Sequence, residues 1–176
     1  ACGVRFLDAD GREFVPVGET LADIARIDVS GLDRRFGRTE IVTMCDIDNP
    51  LCGTTGAAAV FGPQKGATPA QVAMLDAGLA HMAEVIQRDL GVDVLGIAGG
   101  GAAGGMGAGM VAYFGSPLQM GIQTVLDTAC FDELVKEADV VFSGEGCFDG
   151  QSLHGKVVVG VGDRCKKAGK PLIAVA

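Results

Sequence analysis

At 176 residues, 48% of them apolar, the chain is long enough to bury a substantial core, as one domain or as parts of two. Its 14 Lys and Arg against 22 Asp and Glu leave a net charge of −8, with no basic run or aromatic-interleaved stripe, which argues against a nucleic-acid partner. An acidic chain that handles anions must therefore concentrate its few cations where the anion sits.

Ala1-Cys2-Gly3 leads straight into a strand-like segment, and Pro171-Leu172-Ile173-Ala174-Val175-Ala176 stops inside an apolar run, so both ends are expected to be cut. Residues 4–8 and 12–16 flank Ala9-Asp10-Gly11, whose glycine permits positive φ; this predicts a β-hairpin. Residues 21–31 mix apolar and acidic types and predict no clear element. Residues 41–45, apolar and partly β-branched, predict a buried strand that the polar run from Asp46 to Pro50 stops. The glycine-punctuated stretch 51–68 leaves room for a short helix at 56–61. Thr68, Pro69 and Gln71 then spell an N-cap, a first-turn proline and a capping box. Val72, Leu75, Leu79, Met82 and Ile86 repeat at helical spacing until Gly91. His81 lies in this helix and reads as structural or surface.

Residues 92–98 predict a strand that runs into the glycine-dense segment 99–109 and a small-residue helix to about Phe114. A helix at 131–137, a buried strand at 138–143, a helix at 156–169 and a strand from Leu172 complete the chain. This alternation predicts parallel α/β architecture with ligands outside the carboxyl ends of the strands, hence at the loops after Cys45, Ala98 and Ser143. No apolar stretch is long enough to span a bilayer, no charged-then-apolar leader opens the chain, and the six cysteines show no CxxC pair. The expectation is a cytoplasmic protein with reduced thiols.

Gly99, Gly101 and Gly104 form a G-x-G-x-x-G, where backbone N–H groups and a helix N-terminus can approach a phosphate. The structural alternative is that small residues let the helix pack tightly on its sheet. A dinucleotide fold would also want a ribose-binding acid, and only Asp127 lies downstream. The loop after Ser143 is richer. Gly150 and Gly155-Lys156 fall near a P-loop pattern, but Val157 stands where Ser or Thr should hold Mg²⁺, and the spacing from the strand is wrong. Phosphoryl transfer still needs carboxylates to hold Mg²⁺ or take a hydroxyl proton, and cations around the moving phosphate. Glu145 and Asp149 can supply the first and Lys156 the second; an exposed acidic turn and a solvated lysine are the structural alternatives. Asp48, Asn49 and Pro50 cap a strand end or line a site. Lys65, within Gly62-Pro63-Gln64-Lys65-Gly66, faces an anion or is a surface turn residue.

Asp48-Asn49-Pro50-Leu51 with Gly53, Gly56-Ala57 and the run from Phe61 to Ala67 resemble the bacterial glycerate kinase family. So do the run from Gly101 to Gly105 and Gly144-Glu145-Gly146 followed by Asp149, Gln151, Gly155 and Lys156. The likeness runs in order from residue 1 to residue 176. It implies an α/β fold with two domains, one Rossmann-like and one flavodoxin-like and inserted into it, with the active site in the cleft between them. Residues 1–130 would be mostly the inserted flavodoxin-like domain, and 131–176 the C-terminal part of the Rossmann-like one. A lysine-bearing Asp-Ser-Phe-Lys-Gly loop and a Ser-Ala-Thr-Asn-Asp-Gly-Gly stretch of the family's N-terminal part are absent.

The implied reaction is ATP-dependent, Mg²⁺-assisted phosphorylation of D-glycerate to 2-phosphoglycerate. On this reading Gly101, Ala102, Ala103, Gly104 and Gly105 cradle phosphate oxygens. Glu145 and Asp149 hold Mg²⁺ or accept the hydroxyl proton, Gln151 and Lys156 orient and neutralise the transferring group, and Asp48 and Asn49 line the opposing wall. Ser143 stands where Thr is usual, and Cys147-Phe148 replace a basic or polar residue followed by an aliphatic one. Two other readings compete: a non-catalytic ligand-binding or assembly module, and half of an NAD-binding oxidoreductase. The sequence does not fix self-association.

Overall fold

The structure is a computed structural model that describes residues 2–146 and 157–176. The chain forms two compact units, Ala1–Thr43 with Asp48–Leu118, and Met44–Ile47 with Gln119–Ala176.

In the first unit, β1 (Arg5–Leu7) and β2 (Glu13–Phe14) form the expected hairpin, with Phe6 opposite Phe14. The Asp8 carboxylate accepts from the N–H groups of Asp10 and Arg12, both at 2.9 Å, and Gly11 adopts φ +78°. This side-chain turn closes the loop. β3 (Arg26–Asp28) adds to the other edge of β1, with Phe6 opposite Ile27, in a segment whose sequence predicts no clear element. All three strands are antiparallel, in the order β2-β1-β3, so the parallel expectation fails here. The short loop between β1 and β2 allows only an antiparallel pair.

Helix α1 (Ala57–Phe61) matches the short helix expected at 56–61. Helix α2 (Pro69–Leu90) carries the predicted capping box: Thr68 Oγ1 accepts from Gln71 N–H, and Gln71 Oε1 accepts from Thr68 N–H. Gly91 ends it in the left-handed conformation. Leu79 and Ile86 of the apolar stripe are buried, with Val72, Leu75 and Met82 packed around them. With Ile24, Ile27, Leu51 and Val94 they build the core of this unit. His81 Nε2 lies 2.8 Å from Ile24 O, a structural bond. The strand expected at 92–98 is absent. Leu95 N–H bonds to the Asp93 carboxylate, and Ile97 O accepts from Gly100 N–H, so local turns use the groups a ladder would need. Helix α3 (Ala102–Phe114) follows.

The strand expected at 41–45 shrinks to β4 (Thr43–Met44), paired with β5 (Leu118–Gln119), and Met44 is exposed while Cys45 is buried. In the second unit come α4 (Gly121–Thr128), α5 (Phe131–Leu134) with a 3₁₀ turn at Val135–Glu137, β6 (Val141–Gly144), α6 (Val157–Ala168) and β7 (Leu172–Val175). β6 and β7 are parallel, Val141 opposite Leu172 and Gly144 opposite Val175, with α6 in the connection between them. Here the strand–helix–strand expectation holds. Leu126, Val135, Val161 and Cys165 form the core, and Val141 and Leu172 pack onto it. Arg164 on α6 ties the helices together, reaching Asp127 at 2.5 Å, Asp132 at 2.6 Å and Gln123 at 2.9 Å. Asp127 is thus a surface ion-pair partner of Arg164. The expectation of a buried strand at 138–143 holds for one face only. Phe142 and Gly144 are exposed and alternate with half-buried Val141 and Ser143, so the described residues cover one face of β6.

Candidate functional site

The polar run after β4 enters the first unit at Asp48. Asn49 is used twice there: its carbonyl accepts from Gly101 N–H at 3.0 Å, and its Nδ2 donates to Thr55 O at 2.9 Å. Leu51, fully buried, anchors the segment, and its carbonyl accepts from Ala57 N–H at the start of α1. The structure therefore brings Asn49 and the glycine-dense turn together. Asp48 is exposed beside them. Gly101 is required by this contact, because a Cβ there would stand 2.3 Å from Pro50 O and 3.1 Å from Asn49 O.

The turn is not a simple helix start. Ala103, Gly104 and Gly105 have φ of 51°, 76° and 105°, a left-handed stretch before α3 runs regularly to Phe114. Its amides serve the turn itself. Ala102 N–H donates to Gly99 O, and Gly104 and Gly105 N–H both donate to Gly101 O, at 3.0, 3.1 and 3.3 Å. An anion would meet these amides only by sharing or replacing those bonds. Lys65 ends a 3₁₀ turn at Pro63–Lys65 capped by Gly66 in the left-handed conformation. Its exposed side chain and Gly104 line one cavity of about 180 Å³, walled by Ala57, Phe61, Leu75 and Leu79. Lys65 and the glycine turn are thus also neighbours. Burial, and then the Asp76 carboxylate, push the thiol of Cys52, in the same loop region, up to about 11.

In the second unit, Glu145 follows β6 directly, and its N–H donates to Val175 O at 3.1 Å, which extends the β6–β7 ladder. Its side chain lines a cavity of about 590 Å³ with Asp46, Met44, Ile122, Val125 and Val157. Glu145 Oε1 is buried and has no hydrogen-bond partner among the described residues. Asp46 shares that cavity and also caps α4, its Oδ1 accepting from Gly121 N–H at 3.1 Å. A Cβ at Gly121 would stand 2.6 Å from that oxygen, so the glycine makes room for the carboxylate. Sequence reading did not select Asp46; the one signal was its place at the end of a predicted strand. Asp149, Gln151 and Lys156 lie outside the described residues.

Among the described residues no three His, Cys, Asp or Glu side chains converge as a closed metal cluster. A buried, unpartnered carboxylate oxygen in a cavity with a second carboxylate does fit Mg²⁺, which keeps several waters and takes one or two protein carboxylates.

Comparison with known proteins decides the family, since the profile described as the glycerate kinase family matches residues 1–176. The chain belongs to the glycerate kinase family. It is 48% identical over 176 residues to the glycerate kinase of Haemophilus influenzae, with all of this chain and 47% of that protein covered. It is 45% identical to the glycerate 2-kinase of Escherichia coli, again over its whole length and 46% of the relative. The crystal structure of a Salmonella typhimurium LT2 protein assigned as glycerate kinase 2 superposes with a TM-score of 0.86 at 48% identity, covering 98% of this chain and 46% of that one. The fold is accordingly the mixed α/β fold of a glycerate kinase, and the chain spans about half the length of the curated relatives it matches. Membership in this family removes the basis for the oxidoreductase reading. No described helix is long and apolar enough to cross a membrane.

Proposed function

We propose that the full-length protein is a cytoplasmic kinase that transfers the γ-phosphoryl group of ATP to D-glycerate, with 2-phosphoglycerate as product. The observation that carries this is family identity sustained over the whole chain, with Glu145 at the end of a parallel strand and its oxygen buried without a partner among the described residues. Glu145 and Asp149 are the carboxylates for Mg²⁺ or for the hydroxyl proton, and Asp46 joins them. When bound, Mg²⁺ supplies charge neutralisation on the phosphate oxygens. Gln151 and Lys156 orient and neutralise the transferring group. Asp48, Asn49, Lys65 and the run Gly101, Ala102, Ala103, Gly104 and Gly105 contact substrate or nucleotide.

We read the first unit as the flavodoxin-like insert and the second as the C-terminal part of the Rossmann-like domain. Coupled ADP release by the full-length protein with D-glycerate and MgATP tests the activity, and ³¹P spectra of the product separate phosphorylation at the 2- and 3-hydroxyls. No ADP release above the glycerate-free rate would overturn it. The 176-residue chain alone is expected to release none, because it lacks more than half of the relatives' length.

A further inference from the structure

Lys65 lines two cavities of the first unit, which also share Gly18, Gly62 and Leu75 and so adjoin along one wall. The smaller, about 180 Å³, is a crevice walled by Leu21, Ala57, Ala58, Phe61, Leu75 and Leu79, and Lys65 supplies its charge. The larger, about 490 Å³, is open, with Glu19 and Gln71 on its wall. Arg5, Arg12, Arg35, Arg88, Lys136 and Arg164 each pair with a carboxylate. Lys65 pairs with none among the described residues, Glu19 included. In a chain of net charge −8, an unpaired cation on an apolar crevice is complementary to an anion that carries an apolar body.

D-glycerate has no such body. Its three carbons carry a carboxylate and two hydroxyls, and each hydroxyl buried against leucine without a partner would weaken binding by roughly tenfold. A purine nucleotide has one: a flat ring joined through ribose to a polyanion. We propose that the crevice takes the adenine ring of the nucleotide, with Phe61 as its aromatic wall, and that Lys65 pairs with the phosphates. The polar edge of the base is left toward the open cavity, where water reaches it. Recognition of the base is by shape, since Ala57, Ala58 and Leu79 are already buried and fixed before the ligand arrives. The inference rests on the reading of the full-length protein as an ATP-dependent kinase, and within that reading it assigns Lys65 to the nucleotide and not to glycerate.

Titration calorimetry of the full-length protein, without Mg²⁺ and without turnover, tests this with ADP, adenosine and D-glycerate as separate ligands. Lys65→Met, at an exposed position, should weaken ADP about tenfold and leave adenosine and D-glycerate as they were. Ala58→Leu, which fills the crevice, should weaken ADP and adenosine alike. Because Ala58 is buried and the larger side chain strains the fold, saturation-transfer NMR on the unsubstituted protein gives a reading that needs no variant. Irradiated protein methyl groups should saturate H2 and H8 of the ADP base more strongly than ribose H1′, and equal saturation along the nucleotide would overturn the proposal. Loss of D-glycerate affinity in place of ADP affinity in Lys65→Met would make this the glycerate site, which overturns it too. ADP affinity unchanged by both substitutions would overturn it and leave the kinase reading standing, whereas full-length protein that binds no ADP would overturn both.

Discussion

The two units differ in how completely they satisfy themselves. The first buries Ile24, Leu51, Ile86 and Val94 in one continuous core, and the amides of its glycine turn donate to the chain's own carbonyls. The second has a smaller core around Leu126, Val135, Val161 and Cys165, exposed apolar side chains on β6 and β7, and a buried carboxylate oxygen without a partner among the described residues. Leaving a buried polar group unpaired costs about 1–3 kcal/mol, more for a charged one. A fold keeps such a group where a ligand or another segment completes it. The contrast teaches that the first unit supplies shape and the second supplies unspent binding capacity, and substitutions should separate the two roles.

The largest effect is expected at Glu145. In the full-length protein, Glu145→Gln should cut ADP release with D-glycerate by about 100-fold or more, the range of a lost acid–base or charge-stabilising group. The thermal midpoint should hold or rise, because a charge leaves a buried position. Turnover within a few-fold of the original would show that the open carboxylate is not part of the chemistry. Asp46→Asn keeps an oxygen for Gly121 N–H and loses only the charge, so we expect roughly tenfold slower turnover with α4 intact. Asp46→Ala loses the cap as well and should cost about 1 kcal/mol in addition.

Glycine substitutions probe the closed unit, with protection of the α2 amides from hydrogen exchange as readout. Gly101→Ala drives a Cβ to 2.3 Å from Pro50 O, a backbone atom held by a fully buried Leu51 next to it. The loss should be about 3 kcal/mol. Gly104→Ala meets nothing within 4 Å and pays only for φ +76°, so about 1 kcal/mol is expected. Equal losses at the two positions would mean that close packing of the turn against the Asn49 segment is not what fixes it.

How far the sequence could be read follows from the range of each signal. Helix α2 was fully legible, since cap, capping box, stripe and terminal glycine are all local. The hairpin was legible for the same reason. Helix α4 was not: the residue that caps it, Asp46, lies 75 positions away. The same distance hid Asp46 from the list of candidate site residues. The left-handed run from Ala103 to Gly105 was invisible because alanine gives no warning of positive φ. Residues 92–98 have strand composition, yet a strand is a relation to a neighbour, and none pairs with them among the described residues. The fully buried Val94 shows that apolar composition there reported burial alone.

Tyr113 is the exception inside the closed unit. Its ring packs edge-on against Phe6, with centroids 6.1 Å apart, and its hydroxyl is buried with no partner among the described residues. Tyr113→Phe removes that hydroxyl and should raise stability by about 1 kcal/mol. Burial pushes the phenol up to about 12, above its ordinary 10.0. The folded state therefore holds the proton longer than the unfolded one, and stability present below pH 10 falls as the pH rises from 10 to 12. The Phe variant should lack that alkaline decline.

The smallest effect sits at the opposite end of the pH scale, on the edge of the same unit. Asp28 on β3 is held down to about 2, from an ordinary 3.8, first by the hydroxyl and backbone N–H of Ser30 and then by the Arg5 guanidinium. A depressed carboxyl favours the folded state above its unfolded value, and the contribution is lost as the pH falls from 3.8 through 2. Asp28→Asn should lower stability at neutral pH slightly, since the Arg5 partner is half exposed, and flatten the acid decline of β1 and β3 amide protection in that window. The amides of α6 provide the contrast, since they lie in the other unit and should titrate identically in both proteins. If α6 changed as much as β1, the two units would be unfolding as one cooperative body, and the distinction between a closed unit and an open one would have no energetic meaning.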